Sequence, residues 1–371
     1  MSCHCFGSCV TRRRKDHAHT HQEENVPLRG DIKFFSYNEL KSATKSFNAS
    51  SKLGRGGFGT VYKGILQDGT QVAVKALSAE SRQGVNEFLN EIQTVKNVKH
   101  PNLVELLGCC IQGNNRILVY EYVENNSLDR ALLGTKSKAI MLDWSRRSAI
   151  CIGTARGLAF LHEELEPHIV HRDIKASNIL LDKDFVPKIG DFGLAKLFPE
   201  NITHISTRIA GTTGYLAPEY AMRGQLTKKA DVYSFGVLML EIISGRSSTK
   251  VTWGGTQKLL LEWTWQLYEE GKLLELLDQE LGEFSEEEVL RYIKVALFCT
   301  QEAAGRRPTM TQVVDMLSRH IWLNEKELTP PGIFQELGGL SGTLPSLNKA
   351  SIDSTTQLQS SVFTITEMTP R

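Results

Sequence analysis

The stretch from His171 to Asp191 carries side chains whose types and spacing suit phosphoryl transfer. Asp173 offers a carboxylate that can accept the proton of an attacking hydroxyl group. Asn178 and Asp191 offer oxygen atoms of the kind that magnesium prefers when it bridges nucleotide phosphates, and Lys175 adds a cation that can face a phosphate. The tripeptide His-Arg-Asp alone is not a specific signal. The pattern becomes specific because Asn178 follows it and Asp-Phe-Gly comes after a short strand-turn-strand segment.

Two patterns further upstream fit the binding of a nucleotide. Gly54 to Gly59 reads GxGxxG, which by itself fits a plain glycine-rich turn as well as a phosphate-binding loop. Thr60 to Lys63 continue as strand, so we expect the glycines to lie in a hairpin rather than in a dinucleotide-binding unit. Val72-Ala73-Val74-Lys75 then places a lysine on the facing strand, as in the motif whose lysine holds the α and β phosphates.

Lys75 needs an anionic partner that fixes it against these phosphates. We predict Glu91, in the middle of an amphipathic helix, as that partner. Glu87 lies one turn earlier on a similar face and is the alternative. For Glu87 we favour a solvated surface carboxylate.

The elements that must position these side chains are strand-rich before the catalytic stretch. Ser36-Tyr37-Asn38-Glu39 predicts a capped helix start, with Phe35 and Leu40 as its hydrophobic staple. Residues 51–77 and 102–123 have strand character. Between these two segments, apolar residues at helical spacing predict an amphipathic helix.

After residue 123 the pattern turns helical. Ile150, Thr154, Leu158 and Leu161 predict one buried stripe, and residues 232–243 a nearly apolar helix. Thr309 predicts a last capped helix. A strand-rich half before a helix-rich half predicts an α+β fold with two lobes.

We expect four regions. They are a leader at residues 1–30, a helical extension at 31–50, a catalytic domain at 51–320 with lobes at 51–122 and 123–320, and a Ser/Thr-rich tail at 321–371. Leader and tail have too little apolar surface to offset chain entropy, so we expect both to lack stable structure.

The bulk properties exclude several classes of protein. A net charge of +1 gives no reason to expect nucleic acid as a partner. No apolar run approaches the roughly 20 residues of a membrane-spanning helix, and no signal peptide is visible. Seven cysteines, an odd number, do not look like a disulfide framework and fit a reducing cytosol.

The motifs together resemble one family. LGRGGFGTVYKG, AVK, the helix Glu, HRDIKASN, DFG and APE occur in the order found in eukaryotic protein kinases, over about residues 48 to 320. FSYNELKSATKSFN, RILVYEYVENNSLD and GTTGYLAPEYAMRGQLTKKADVYSFGV resemble plant receptor-like kinases of the Pelle-related group. ALSAESRQGVNEF, GLAFLHEE and HRDIKASNILLDKDF look most like the cold-responsive protein kinase subgroup, although no role in cold signalling follows from that.

This resemblance implies a two-lobed kinase fold and a nucleotide site between the lobes. The implied members of the site are Leu53, Gly54, Gly56, Gly59, Val61, Ala73, Lys75, Tyr120, Glu121, Val123 and Leu180. Leu180 would cover one face of adenine, and Leu53, Val61 and Ala73 the opposite face. Tyr120 takes the gatekeeper position, and Glu121 and Val123 offer hinge backbone groups.

A stack of residues that aligns the lobes is implied as well. Its members are Val95, Leu106, His171, Phe192 and Asp231. For the aliphatic members, ordinary core packing explains the same positions.

The resemblance also implies how catalysis is organised and controlled. Lys175 follows the serine/threonine pattern, so we expect Ser/Thr acceptors, with tyrosine as a minor alternative. Thr212 would support Asp173 and Lys175, and Arg172 would bind a loop phosphate. The candidate phosphosites are Ser206, Thr207, Thr203, Thr212 and Thr213, of which Thr207 and Ser206 are preferred. Exposed hydroxyls without a regulatory role remain the alternative.

One ion pair is expected far from the cleft. Glu219 should form a buried pair with Arg307 that braces the second lobe.

The leader suggests contact with a membrane surface. Cys3, Cys5 and Cys9 precede a basic run at Arg12-Arg13-Arg14-Lys15, and S-acylation plus basic charge gives stable anchoring. Ser2 occupies the position that N-myristoylation reserves for glycine. Two alternatives stay open. One is an inert leader, and the other is adventitious metal binding by Cys3, His4, Cys5, His17, His19 and His21.

We therefore predict a Mg²⁺- and ATP-dependent serine/threonine kinase of the receptor-like cytoplasmic type. It would act on proteins at the inner face of the plasma membrane, below an upstream receptor kinase. The alternative is a pseudokinase scaffold, although every catalytic position is filled. The one local departure from the kinase pattern is Gly190, directly before Asp-Phe-Gly, where relatives commonly carry a small polar residue.

Overall fold

The computed structural model describes most of the chain from residue 32 to residue 333. The described ranges are 32–56, 59–77, 82–134, 142–199, 202–248, 251–253, 256–333 and 364–366. The predicted leader, with Cys3, Cys5 and Cys9, lies outside them.

The first lobe is built on one sheet and one long helix. In chain order its elements are Lys33–Phe34 (β1), Tyr37–Ala43 (α1), Lys52–Gly56 (β2), Gly59–Ile65 (β3), Gln71–Leu77 (β4), Arg82–Val95 (α2), Leu106–Gln112 (β5) and Asn115–Glu121 (β6). The sheet has the order β1-β5-β6-β4-β3-β2. It is antiparallel except for the β1–β5 pair, so short hairpins connect most of its strands.

The extension before β2 belongs to this lobe, which moves the predicted boundary at residue 51. Phe35 and Leu40 are buried in the same cluster as Val72 and Val74. The predicted cap is confirmed, because Ser36 Oγ accepts a hydrogen bond from the backbone N–H of Glu39. β1 lies so close to β5 that a Cβ at Gly108 would overlap the Lys33 carbonyl oxygen and the Phe35 ring. The extension therefore completes the sheet and its core.

The predicted amphipathic helix is α2. Phe88, Ile92 and Val95 lie on its buried face at spacings of three and four residues, as one apolar stripe requires. The stripe fixes the rotation of the helix, and with it the direction in which Glu91 points.

The second lobe is mainly helical. In chain order its elements are Leu128–Leu133 (α3), Trp144–Ala159 (α4), His168–Val170 (β7), Ile179–Leu181 (β8), Pro187–Ile189 (β9), Lys196–Phe198 (β10), Ile205–Ser206 (β11), Ala210–Thr212 (β12), Pro218–Arg223 (α5), Gln225–Leu226 (β13), Lys228–Ser244 (α6), Val251–Trp253 (β14), Thr256–Lys258 (β15), Leu260–Glu269 (α7), Glu286–Cys299 (α8), Met310–Ser318 (α9) and Thr364–Thr366 (β16). A strand-rich lobe followed by this helical lobe confirms the predicted α+β fold.

The core of the second lobe surrounds α6. Every residue of this helix from Ala230 to Ser244 is buried, as its nearly apolar sequence predicted, and it packs against α8. The predicted stripe on α4 is also buried. Thr309 and Gln312 form the predicted capping box at the start of α9.

The chain continues along the second lobe after α9. Residues 321–333 were assigned to the tail, but Thr329 bonds the Gln301 side chain and Tyr233 donates a hydrogen bond to the Gly332 carbonyl oxygen. Gly332 in turn donates to the Thr300 carbonyl oxygen. A few hydrogen bonds to distant residues hold this segment, which explains why its composition gave no signal.

Candidate active site

Lys75 lies at the centre of a buried ionic cluster between the lobes. Its Nζ is 2.5 Å from Glu91 Oε1 and 2.8 Å from Asp191 Oδ1. The Tyr120 hydroxyl donates a short hydrogen bond to the other Glu91 oxygen. The predicted pairing of Lys75 with Glu91 is confirmed. The strand β4, the helix α2 and the turn after β9 thus meet at one ammonium group.

The charges in this cluster are set by burial and by their neighbours. Burial opposes the charged form of Lys75, but Asp191 and Glu91 outweigh it and raise the lysine pKa above its ordinary value. Burial likewise acts to raise the pKa of Asp191, yet Lys75 overcomes it and the pKa falls below its usual value. The lysine is therefore positively charged and Asp191 negatively charged around neutral pH.

Glu87 is not the solvated carboxylate that we predicted. It is 3% exposed and lies beside the Phe-Gly turn, with its Cβ near the position that a Cβ on Gly193 would take. Burial raises the pKa of Glu87 to about 7. The interpretation failed because the turn after Asp191 covers this face of α2, and long-range packing of that kind leaves no trace in helical periodicity.

The turn that carries Asp191 is held to α2 by one amide side chain. Asn90 Nδ2 donates to the carbonyl oxygens of Phe192, Gly193 and Ala195, at 3.2, 3.0 and 2.8 Å. Asp191 itself has a φ of 64°, a left-handed conformation that is unusual for a residue with a side chain. Asn90 precedes Glu91, so the helix fixes both Glu91 and the Asp191 turn.

The catalytic stretch brings Asp173, Lys175 and Asn178 together, as its spacing suggested. Lys175 Nζ is 2.8 Å from Asp173 Oδ2, and Asn178 Nδ2 donates to Asp173 Oδ2 at 3.1 Å. Thr212 donates to Asp173 Oδ1 at 2.6 Å and accepts a hydrogen bond from Lys175 at 2.8 Å. These bonds confirm the predicted contact of Thr212 with both residues. Asp173 is 4% exposed, and its contacts with Lys175, Asn178 and Thr212 fix the orientation of its carboxylate.

A buried aspartate anchors the backbone of the catalytic loop. Asp231, from α6, accepts the backbone N–H groups of His171 and Arg172 and contacts His162 Nε2 at 2.9 Å. His171 packs edge to face on Phe192, with ring centroids 4.9 Å apart. Three predicted members of the stack are therefore in contact one after another, Asp231 with His171 and His171 with Phe192. These contacts link the core of the second lobe to the Asp191 turn.

Gly190 has a packing reason of its own. Its carbonyl oxygen lies 3.1 Å from His171 Nε2 and its N–H donates to the Asn178 carbonyl oxygen. A Cβ at this position would lie 3.2 Å from Val104. The glycine at position 190 therefore lets the end of β9 pack tightly against Val104.

The residues that the resemblance assigns to nucleotide binding come from both lobes. They lie on β2, β3, β4 and the end of β6 in the first lobe, just after β6 at Val123, and on β8 in the second lobe. Val61 lies opposite Lys75, and Ala73 opposite Tyr120, in the strand registers. The Glu121 carboxylate is 2.9 Å from Lys188 Nζ and accepts the Glu105 N–H, so the hinge is tied to the second lobe.

Arg172 and Tyr220 hold the segment between the Asp191 turn and α5. Arg172 donates to the Leu194 and Arg208 carbonyl oxygens and to the Tyr220 hydroxyl. Tyr220 also accepts the backbone N–H of Ala210 and donates to the Arg208 carbonyl oxygen. Arg172 thus faces this segment, as its expected role requires.

The candidate phosphosites fall into two groups in this segment. Thr203 and Ser206 are exposed, and Thr207 and Thr213 are partly exposed. Thr212 is 2% exposed, and its hydroxyl is committed to Asp173 and Lys175. We therefore remove Thr212 from the candidate phosphosites.

Glu219 and Arg307 form the predicted pair below the cleft. Two parallel bonds of 2.8 Å join the carboxylate and the guanidinium group, and the Arg307 side chain is fully buried. Arg307 also donates to the carbonyl oxygens of Gln301, Lys229 and Glu302. The pair fixes the start of α5 to the turn before α9.

Sequence reasoning missed three residues of this region. They are Asn90, Tyr220 and Arg130, whose guanidinium donates to the Leu53 carbonyl oxygen across the mouth of the cleft. All three bond backbone carbonyl groups of distant segments. Asn directly before the helix Glu was the one available signal, because Asn is a poor helix former with no local reason to be there.

Comparison with known proteins gives one consistent result. The family described as "Protein tyrosine and serine/threonine kinase" matches residues 47–317. Cold-responsive protein kinase 1 of Arabidopsis thaliana is 53% identical over 89% of this chain and 87% of its own length. A probable LRR receptor-like serine/threonine-protein kinase of the same plant is 54% identical over 86% of this chain. A second probable LRR receptor-like serine/threonine-protein kinase of this plant is 57% identical over 76% of this chain. The matches cover 31% and 28% of these two receptor-like relatives.

Proposed function

Since the chain belongs to the protein kinase family and is a serine/threonine protein kinase, we propose that it transfers the ATP γ-phosphate to Ser and Thr hydroxyls of proteins in plant signalling. The observation that carries the proposal is the convergence of two clusters in one cleft. Lys75, Glu91 and Asp191 form one, and Asp173 with Lys175 forms the core of the other. Transfer of labelled phosphate from ATP by the purified chain, and not by its Lys75→Met variant, tests it.

The donors for a divalent ion are Asp191 and Asn178, and their chemistry suits Mg²⁺. Asp191 is ionised because Lys75 lowers its pKa, and its carboxylate is a hard oxygen ligand. Asn178 donates from Nδ2 to Asp173, so its amide oxygen points away from Asp173 and is not used by that contact. A bound Mg²⁺ would neutralise charge on the β and γ phosphates.

The side chains divide the remaining work. Lys75, fixed by Glu91, would orient the α and β phosphates, and Lys175 would contact the γ phosphate. Asp173 would align the acceptor hydroxyl and take its proton. Thr212 and Asn178 hold the Asp173 carboxylate from two sides, so its position costs no reorganisation when the hydroxyl arrives.

The type of residue that accepts the phosphate is proposed from Lys175. Thr212 bonds both Lys175 and Asp173, so the lysine is held beside the base rather than free to move away from it. The preference for Ser and Thr rests on the resemblance, because a lysine two residues after the base is the serine/threonine kinase pattern and relatives of this chain are named serine/threonine-protein kinases. Phosphoserine and phosphothreonine should therefore dominate the labelled product.

Phosphorylation of the segment before β12 would activate the enzyme, with Thr207 and Ser206 as the preferred sites. A phosphate there adds a charge of roughly −1.5 to −2 and could bind Arg172. Thr207 lies next to Arg208, whose carbonyl oxygen Arg172 already contacts. The chain itself or an upstream receptor kinase would supply this phosphate.

Thr207→Ala should lower kcat about tenfold, because loss of about 1.4 kcal/mol of segment ordering has that effect on rate. The melting temperature should stay within about one degree of wild type. The measurement is kcat on a protein substrate, with phosphopeptide mapping of the segment. Thr70→Ala, at an exposed threonine in the turn between β3 and β4, is the matched control. Unchanged activity together with unchanged phosphate on the segment would rule Thr207 out.

We also propose that the enzyme works at the inner face of the plasma membrane. Among the helices that the structure describes, none has the length and apolar character that a bilayer span needs. The support is the leader, where Cys3, Cys5 and Cys9 precede a basic run. Acyl chains contribute about 0.8 kcal/mol per buried CH₂, and each basic residue about 1 kcal/mol near anionic lipid.

Replacing Cys3, Cys5 and Cys9 by Ser should move the protein from the membrane fraction to the supernatant. The measurement is fractionation of cells that express wild type or the triple variant. Cys109→Ser, at a buried thiol far from the leader in sequence, controls for the loss of any thiol. A triple variant that remains in the membrane fraction excludes acylation as the anchor.

A further inference from the structure

The C-terminal tail returns to the catalytic lobe as a strand. Thr364–Thr366 (β16) pairs in parallel with Ala210–Thr212 (β12), with Thr364 opposite Ala210, Ile365 opposite Gly211 and Thr366 opposite Thr212. These two strands form a sheet of their own. Strand addition of this kind draws its affinity from main-chain hydrogen bonds.

The strand that receives the tail borders the catalytic base. Thr212 ends β12, and its hydroxyl donates to Asp173 at 2.6 Å. Arg172, the residue before Asp173, bonds the Arg208 carbonyl oxygen just upstream of β12. An extended chain paired with β12 is therefore the neighbour of the strand whose last residue bonds Asp173.

The path of the chain after α9 leads to the same place. Gly332 is fixed by the Tyr233 hydroxyl and packs against Pro218, at the start of α5. Ile333 lines a small cavity together with Gly214 and Leu216, which directly follow β12. The chain thus leaves the second lobe beside the segment that β16 later joins. Residues 334–363 can span up to roughly 100 Å, so their length does not limit the return.

We propose that the edge of β12 is a docking site for an extended peptide and that the segment Thr364–Thr366 of this chain is its occupant. The tail then competes with protein substrates for the approach to Asp173. This rests on the proposed role of Asp173 as the base. ATP enters from the cleft between the lobes, so the competition concerns the protein substrate alone.

Ile365→Pro in the full-length chain tests the proposal, because proline is poorly accommodated inside a paired strand. Leu358→Pro, in the same tail but outside the paired segment, is the matched control. A tail that fills the site nine-tenths of the time raises the apparent KM for a protein substrate about tenfold. Ile365→Pro should remove that factor and leave kcat and the KM for ATP unchanged. An equal KM in wild type and Ile365→Pro would overturn the competition.

Hydrogen exchange separates failure of this proposal from failure of the proposed function. The amides of Gly211 and Thr212 should exchange faster in Ile365→Pro than in wild type or Leu358→Pro, whether or not the protein transfers phosphate. Equal exchange rates in all three proteins would overturn the docking. A synthetic peptide of residues 361–371 should inhibit Ile365→Pro competitively against the protein substrate, and inhibition competitive with ATP would contradict the assignment of the site.

Discussion

Asp173→Asn should lower kcat about 10²- to 10⁴-fold, the usual contribution of a positioned general base. The amide of asparagine cannot take the proton of the acceptor hydroxyl. Asparagine also places no negative charge beside Lys175, which lies 2.8 Å from Asp173 in the native protein. Nucleotide binding should change little, because Lys75 and Asp191 are untouched. The measurement is kcat with a protein substrate, together with the Kd for ATP.

Asp184→Asn is the matched control for this substitution. Asp184 is exposed and lies 4.0 Å from the equally exposed Lys183, an arrangement that contributes little to stability. Its replacement should leave kcat unchanged. If Asp173→Asn kept more than about a tenth of the wild-type kcat, Asp173 would not be the base.

Glu219→Gln should cost about 3–5 kcal/mol of unfolding free energy, because it leaves the Arg307 guanidinium buried without its anion. Arg307 has a fully buried side chain, and both of its bonds to Glu219 are 2.8 Å long. Its bonds to carbonyl oxygens satisfy hydrogen-bonding groups but carry no full negative charge. Urea unfolding of the variant and of wild type measures the difference.

Glu325→Gln provides the comparison for that loss. Glu325 pairs with Lys294 at 2.6 Å, but its side chain is 44% exposed, so solvent screens the pair and its loss should cost at most about 1 kcal/mol. Equal destabilisation by the two substitutions would mean that burial does not govern the Glu219–Arg307 pair.

Patterns within a short stretch of sequence predicted the features that depend on neighbouring residues, such as helix starts and the buried face of a helix. The apolar stripe predicted the helix α2, and Glu91 in the middle of that helix is the partner of Lys75, as predicted. The capping residues Ser36 and Thr309 marked helix starts that the structure has at the same places. At both caps a side chain satisfies backbone groups within four residues, so the local sequence carries the whole interaction.

Contacts between distant segments could not be predicted in this way. Glu87 was taken as solvated because nothing in α2 shows that the turn after Asp191 covers it. Asn90 binds three carbonyl groups of that same turn, and carbonyl groups are present at every residue, so no motif distinguishes its partners. The sequence places residues 321–333 in the tail for a similar reason, since their docking depends on a few bonds to distant residues, among them Gln301, Thr300 and Tyr233.

The resemblance to known kinases supplied what neither pattern nor spacing could. Tyr120 and Leu180 entered the nucleotide site only through it, because a single tyrosine or leucine has many roles in a core. The structure adds that the Tyr120 hydroxyl bonds Glu91, which joins the gatekeeper position to the ionic cluster. Nucleotide contacts of these residues stay a prediction.

Phosphate transfer by the purified chain tests most directly whether the convergent cluster of lysines and acidic side chains is a catalytic centre. Wild-type protein should be incubated with labelled ATP, Mg²⁺ and a protein substrate, beside Lys75→Met, which removes the ammonium group shared by Glu91 and Asp191. We predict label on serine and threonine with wild type and none above background with the variant. Wild type that carries phosphate on Thr207 or Ser206 and still transfers none would instead indicate a pseudokinase scaffold.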